Sequence, residues 1–416
     1  MLTILLTERF PYSYAETFLN EEIAYHSEEL VIIPTFCGTT GTIRKLQTLH
    51  RENVIILKPQ NLFFQNKKIA RLLGAITAMM TSEFRQETYR LIRERQFTVE
   101  RAAQLASFIS KAYCITDYVA KLINEKYRGE ERIVIYSYWM TSTALAAIKI
   151  SQALSNVQAI TRCHGYDLYE RKENHMYTTM QKYIVERLDC IYSISEDGIR
   201  QIKSKFEVGK FNEKKLCVSR LGTLDHGLHK YEKHPGELHL VSCSSVIPLK
   251  RIHFILKAAA NVHNAKVHWT HFGDGPLLAQ IKKMTLDYPN VICEFKGQME
   301  NNQIFDYYQH ECVDLFVNTS TSEGIPVSIM EAISFGIPII APNIGGISEI
   351  VENEKNGWLL RGSFDLNELT EKFEQFCQLS SDDVVRYRHA ARQTWETKYN
   401  CVINYKNFVD SLTGKA

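Results

Sequence analysis

A recurring unit constrains this chain more than anything else. A short run of β-branched and aliphatic residues leads into a turn, and then into a segment with apolar residues every three or four positions. In the first half the runs are Leu2–Leu6, Leu30–Pro34, Val54–Leu57, Ile133–Ser137, Val157–Arg162, Cys190–Ile194 and Leu216–Ser219. The segment Ala15–His26 reads as the first helix, with Phe18, Glu22 and Tyr25 spaced by three and four. The rhythm restarts more regularly at Leu238–Ser244, followed by Val267–Phe272, Val291–Phe295, Leu315–Asn318 and Ile337–Ala341. Strand runs alternating with helices imply parallel sheets covered by helices on both faces. A length of 416 residues suits two such domains. The polar stretch Tyr231-Glu-Lys-His-Pro-Gly-Glu237 is the expected linker. The expected division is 1–230, 231–392, and a C-terminal segment 393–416 that includes a helix over Thr394–Leu412.

Composition removes several classes. A net charge of +2 gives no bulk attraction to polyanions, so no nucleic-acid partner is expected. No apolar run approaches the ~20 residues needed to span a bilayer. Met1–Thr7 runs straight into Glu8 and Arg9 with no basic region before it, and reads as a strand, not a leader. The ten cysteines are scattered, with no zinc-like spacing. A cytoplasmic location with reduced thiols is the expectation. One segment departs from the near-neutral whole. Residues 42–101 carry twelve Lys or Arg against five Glu, a net charge of +7. Within it, Lys67–Met80 places Ile69, Leu72, Leu73, Ile76, Met79 and Met80 at helical spacing. This is either a solvated helix packed on its domain or a basic amphipathic surface resting on an anionic membrane, at the inner face of the plasma membrane.

The densest chemical signal is Glu323-Gly-Ile-Pro-Val-Ser-Ile-Met-Glu331, after the strand Leu315–Asn318 and a polar turn. Pro326 suits the start of a helix, and Ile325 before it cannot cap. The orphan N–H groups of that helix need a partner, and a phosphate is a natural one. Glu323 at the helix mouth and Glu331 more than a turn inside would reach different parts of one elongated ligand. At a strand's carboxyl end in a doubly wound sheet, such a pair points to a ligand site.

Glu323 and Glu331 resemble the Glu-x7-Glu motif of retaining GT-B glycosyltransferases, specifically glycosyltransferase family 4 (group 1). Phe335–Val351 and Gly273-Asp-Gly-Pro-Leu277 are similar to the same family. Glu16-Thr-Phe-Leu19, Tyr136-Ser-Tyr-Trp139, His164-Gly-Tyr-Asp-Leu-Tyr169 and Ser193–Gly198 resemble its branch in bacterial exopolysaccharide, capsule and lipopolysaccharide synthesis. The resemblance implies two Rossmann-like domains facing across a cleft, with the C-terminal helix crossing back to the first. It implies a nucleotide-diphosphate sugar as donor substrate and a saccharide or lipid-linked saccharide as acceptor.

By the same resemblance, Glu323 contacts the donor sugar near the reacting centre and Glu331 binds the ribose hydroxyls. The backbone of Gly324, Ile325, Pro326 and Val327 holds the diphosphate, and Lys250 neutralises it. The family usually carries Arg where this chain has Ser245; either Arg251 replaces that guanidinium or the site relies on one cation. His164 is assigned to the donor sugar or reacting region. Glu16, Thr17, Arg162 and Asp167 fall on the acceptor side. For three of these a structural role competes: a helix-start Glu16, a capping Asp167, a packed or ion-paired Arg162. The chain has Ala15 where the family usually has Gly. No Asp-x-Asp occurs, so no metal and no further cofactor is expected, and cations with helix dipoles must meet the diphosphate charge. The alternatives are a GT-B sugar-nucleotide epimerase or a non-catalytic partner subunit.

Overall fold

The computed structural model describes residues 1–12, 16, 18–35, 52–57, 68–169, 177–206, 212–228 and 230–414. Thr17 and parts of the basic segment, 42–51 and 58–67, therefore lie outside the described residues. The chain divides into two compact units, 1–219 with 405–416, and 220–404.

The first unit is built on seven parallel strands: β1 Leu2–Thr7, β2 Glu29–Pro34, β3 Val54–Ile56, β4 Ile133–Ser137, β5 Val157–Cys163, β6 Cys190–Ser193 and β7 Leu216–Val218. Their order is β3-β2-β1-β4-β5-β6-β7. β1 pairs with β2 on one side (Leu2↔Glu29) and with β4 on the other (Leu2↔Ile133). Chain direction of winding therefore reverses between β1 and β4. β1 is buried at every residue, which explains its unbroken apolar run: helices cover both faces. Leu2, Ile4 and Leu6 enter one core, and Leu5 enters the other with Ile32, Val134 and Tyr136.

The second core is closed by the C-terminal helix Cys401–Thr413, through Phe408, Val409 and Leu412. The Phe408 ring lies 5.2 Å from that of Tyr136 and 4.9 Å from that of Tyr192.

The second unit has six parallel strands: β8 Glu237–Cys243, β9 Lys266–Phe272, β10 Val291–Gly297, β11 Leu315–Val317, β12 Ile339–Pro342 and β13 Gly357–Leu360. Their order is β10-β9-β8-β11-β12-β13. The reversal falls between β8 and β11, paired at Leu315↔Leu240 and Phe316↔Val241. In sheets of this kind ligands bind outside the carboxyl ends of the strands that flank the reversal.

Several expectations change. Ala15, the expected start of the first helix, lies outside the described residues. The helix spans Leu19–Glu22 with a 3-10 turn at Ile23–Tyr25, and Glu16 has left-handed backbone, φ 61°. β13 was not anticipated. Thr394–Leu412 is not one helix but the end of Ser381–Lys398 and most of Cys401–Thr413. The break serves Thr223, which bonds to Tyr399 and Cys401 through its backbone. Trp395 Nε1 also donates to the Thr223 hydroxyl at 2.7 Å. Residues 220–230 accordingly belong to the second unit, and Tyr231–Glu237 is not where the chain changes unit.

Phe408→Ala would open a cavity against the first sheet. The expected cost is about 3–5 kcal/mol, read as a lower midpoint in urea unfolding with an unchanged slope.

Candidate functional site

In the second unit the carboxyl ends of β8 and β11 are laced together. The loop after β8 contains the 3-10 turn Pro248–Lys250. Thr319 Oγ1 donates to the carbonyl of Lys250 at 2.8 Å, and Thr321 N to that of Leu249 at 2.9 Å. Arg251, at φ 46°, donates through Nε and Nη2 to the carbonyls of Thr319 (2.9 Å) and Ser320 (3.2 Å). Its guanidinium also stands 4.6 Å from the Phe364 ring centre. Arg251 thus braces the loop that carries Glu323. It is not the replacement diphosphate ligand that the sequence leaves open, but a strut between two loops.

The lacing brings Lys250 and Glu323 together. Lys250 Nζ lies 2.5 Å from Glu323 Oε1. Ser320 Oγ donates to the same oxygen at 2.5 Å and Asn318 Nδ2 at 3.3 Å. Three donors therefore converge on Oε1, while Oε2 accepts from nothing among the described residues. The carboxylate is held by one oxygen and presents the other. Ser320 and Asn318 carried no sequence signal beyond their place in a polar turn.

The helix Val327–Ser334 starts beside Glu323. Its cap residue is Pro326, φ −71°, and no side chain caps it. The amides of Gly324, Ile325, Val327 and Ser328 donate to nothing among the described residues. Pro326 itself has no N–H to give. Gly345 and Gly346 support this turn from below. Gly346 N donates to the Gly324 carbonyl at 2.8 Å. A Cβ on Gly345, φ +50°, would stand 1.9 Å from the Glu323 carbonyl oxygen. Only glycine allows that approach.

Glu331 lies inside the same helix and is buried. Asn301 Nδ2, at the start of the helix Asn301–His310, donates to its Oε1 at 3.1 Å. Burial pushes the Glu331 carboxyl up to about 8. The amide does not offset the desolvation, so the group is mainly neutral at pH 7.

In the first unit a separate cluster gathers at the ends of β1, β4 and β5. Glu16 accepts from the backbone N–H of Glu8 (2.8 Å), Arg9 (2.9 Å) and Phe10 (2.7 Å), and from Trp139 Nε1 (2.8 Å). The helix-start reading of Glu16 gives way to this one. The carboxylate ties the loop after β1 to the loop after β4, and the left-handed backbone aims it there. His164 follows β5 directly, its ring 4.5 Å from Trp139 and 4.7 Å from Tyr138. Its Nε2 is buried with no hydrogen-bond partner among the described residues. Burial holds the imidazole well below its ordinary pKa, so it is neutral. Asp167 accepts from the N–H groups of His164 (2.6 Å) and Met140 (2.7 Å). Burial raises it to about 7 all the same.

Arg162 does not join this cluster. It is fully buried, ion-paired with the equally buried Glu22, and donates to Ser219 Oγ at 3.1 Å. Its guanidinium packs 4.2 Å from the Phe408 ring centre. An acceptor phosphate would have to displace a buried carboxylate to reach it, so the structural reading of Arg162 replaces the acceptor reading. Trp139 is the functional-cluster residue that its motif contained without a role.

Because Glu331 is raised from 4.5 to about 8 in the folded chain, stability must fall as pH climbs through that window. Glu331→Gln removes the fall. The variant should melt about 3 °C or more above the parent at pH 8, with the gap closing toward pH 5, by scanning fluorimetry. A gap that does not change with pH contradicts the buried carboxyl.

Known proteins bear on both units. The sequence profile of the family described as Glycosyl transferases group 1 matches residues 228–394. The putative colanic acid biosynthesis glycosyltransferase WcaL of Escherichia coli K12 is 25% identical over 249 residues, 57% of this chain. The chain spans 59% of the length of that relative. The amylovoran biosynthesis glycosyltransferase AmsK of Erwinia amylovora is 32% identical over 154 residues, 35% of this chain and 36% of that one. Among solved structures, the apo lipopolysaccharide outer core galactosyltransferase WaaB aligns over all of both chains, with TM-score 0.69 and 14% identity. Anabaena HepE in complex with UDP aligns over 99% of both, with TM-score 0.66 and 16% identity. These two likenesses establish the fold: two parallel-sheet, Rossmann-like domains with GT-B neighbours.

Proposed function

We propose that this chain is a retaining GT-B glycosyltransferase of family 4. It moves a sugar from a nucleotide-diphosphate donor to a saccharide or lipid-linked saccharide in bacterial surface polysaccharide synthesis. The observation that carries the proposal is the meeting of Lys250 and Glu323 at the strand-order reversal of the second sheet, beside a helix start with unused amides. A diphosphate is an anion that fits there. The Lys250 ammonium and the N–H groups of Gly324, Ile325 and Val327 supply fixed positive charge where the leaving group gains negative charge.

Glu331 sits deeper on the same helix, where a buried carboxyl suits the neutral hydroxyls of a ribose. Glu323, held through Oε1, offers Oε2 to a hydroxyl of the donor sugar. His164, neutral and with a buried ring nitrogen in want of a partner, is the first unit's best candidate for a sugar contact. Asp167 and Glu16 hold the backbone around it. Metal independence belongs to the same proposal: the cation and amides do the work a divalent ion does elsewhere. No protein nucleophile is assigned; the leaving phosphate assists removal of the acceptor proton. The group 1 profile and the relatives in colanic acid and amylovoran synthesis support this reading, and the HepE complex makes UDP the first nucleotide to test.

Three measurements follow. UDP should raise the melting temperature of the parent, and Lys250→Ala should weaken that shift. Glu323→Gln should keep the UDP shift yet lose transfer from a UDP-sugar by about 100-fold or more. Transfer should persist in excess chelator. Full transfer by Glu323→Gln removes the catalytic assignment, and a donor returned epimerised with no transfer replaces the proposal with an epimerase.

A further inference from the structure

Two of the described helices between β3 and β4, Lys68–Met79 and Ser82–Arg93, expose large apolar side chains. In the helix Lys68–Met79 the small residues face in. Ala78 is buried, and a Cβ on Gly74 would stand 2.4 Å from Ser110 Oγ of the helix Val99–Lys126. Among the described side chains the large ones face out: Leu73 is 57% exposed, Ile76 41% and Met79 45%, with Met80 just beyond the helix at 75%. The next helix, Ser82–Arg93, packs Phe84 on the core but also exposes large apolar side chains. It buries Glu83 and Glu87 with Leu91, and exposes Tyr89 (69%) and Ile92 (57%).

Burial of large apolar side chains is the normal driving force of helix packing, so two successive helices that expose them are waiting for a covering phase. Positions 85, 89, 92 and 93 fall on one stripe of the second helix, as 73, 76, 77 and 80 run along the first and its end.

Charge decides what the cover is. Arg85, Arg93 and Arg95 are exposed and have no ion-pair partner among the described residues. The acids nearby are already taken: Glu83 by Lys149 at 2.7 Å, and Glu87 and Glu94 by Arg90 at 2.7 and 2.5 Å. Glu100 is the remaining exposed acid of residues 68–101. The outward face is therefore apolar with a rim of uncompensated arginine. A second copy would set that rim against itself, like charge to like. An anionic bilayer surface matches both properties, taking the apolar side chains at the headgroup boundary and the guanidinium groups on its phosphates. No helix among the described residues is long and apolar enough to cross a membrane, so the contact is with the surface.

We propose that the outward faces of Lys68–Met79 and Ser82–Arg93 dock this protein on anionic lipid, with Leu73, Ile76, Met80, Tyr89 and Ile92 inserted and Arg85 and Arg93 on headgroups. The inference stands independently of the transferase reading.

The test is flotation of the full chain with phosphatidylcholine vesicles, with and without phosphatidylglycerol. Binding is expected with phosphatidylglycerol at low salt, and should be lost without it. The double variant Arg85→Gln/Arg93→Gln should weaken binding about 30-fold. Ile76→Ser/Met80→Ser should weaken it further while leaving the circular dichroism and the UDP melting shift unchanged. All these positions are exposed, so folding is not at stake. Absence of binding to anionic vesicles at low salt overturns the proposal. So does undiminished binding by both double variants, or a dimer in light scattering that Ile76→Ser/Met80→Ser dissolves.

Discussion

The contact around which the strand ends of the second unit are organised is the hydrogen-bonded carboxylate of Glu323. Its Oε1 collects Lys250, Ser320 and Asn318. Lys250 and Glu323 are 73 residues apart in sequence, and they meet because β8 and β11 are neighbours in a parallel sheet. Parallel pairing forces every connection to cross over the sheet, so all loops at one end belong to strand carboxyl termini. Where the winding reverses, two of those loops diverge and leave a crevice. Arg251 and Thr319 then stitch the two loops to each other. The position of each charged atom follows from topology first and from local hydrogen bonds second.

Burial sets the protonation of the remaining ionisable groups. Glu331 and Asp167 are driven up and His164 is driven down, each by desolvation. All three thereby move toward neutrality near pH 7. By contrast Arg162 and Glu22 are buried as a charged pair, each the other's compensation. Within the first group Glu331 has one amide partner at 3.1 Å and His164 Nε2 has none among the described residues, whereas Asp167 is held by two backbone N–H groups. Separating the Arg162–Glu22 pair would leave a buried charge alone.

Most strands were legible because central parallel strands are buried on both faces and read as unbroken apolar runs. β13 escaped because its four residues, Gly357-Trp-Leu-Leu360, open on glycine and include no β-branched residue. The apolar spacing around Phe18, Glu22 and Tyr25 is genuine, but Glu16 has left-handed backbone and its carboxylate accepts from three successive backbone N–H groups. The C-terminal break at Tyr399 and Asn400 was invisible because its cause is Thr223, far off in sequence.

By itself the sequence determined the α/β class, the two sheets and the motif that holds Glu323 and Glu331, because periodicity and short-range spacing are local properties. Tertiary structure alone decided that Arg251 is a strut, that Arg162 belongs to Glu22, that Ser320 and Asn318 fix one oxygen of Glu323, and that two basic helices leave large apolar side chains exposed. Each of those outcomes depends on which distant group stands within a few ångströms and on how much water is left beside it, and neither is written in the order of residues.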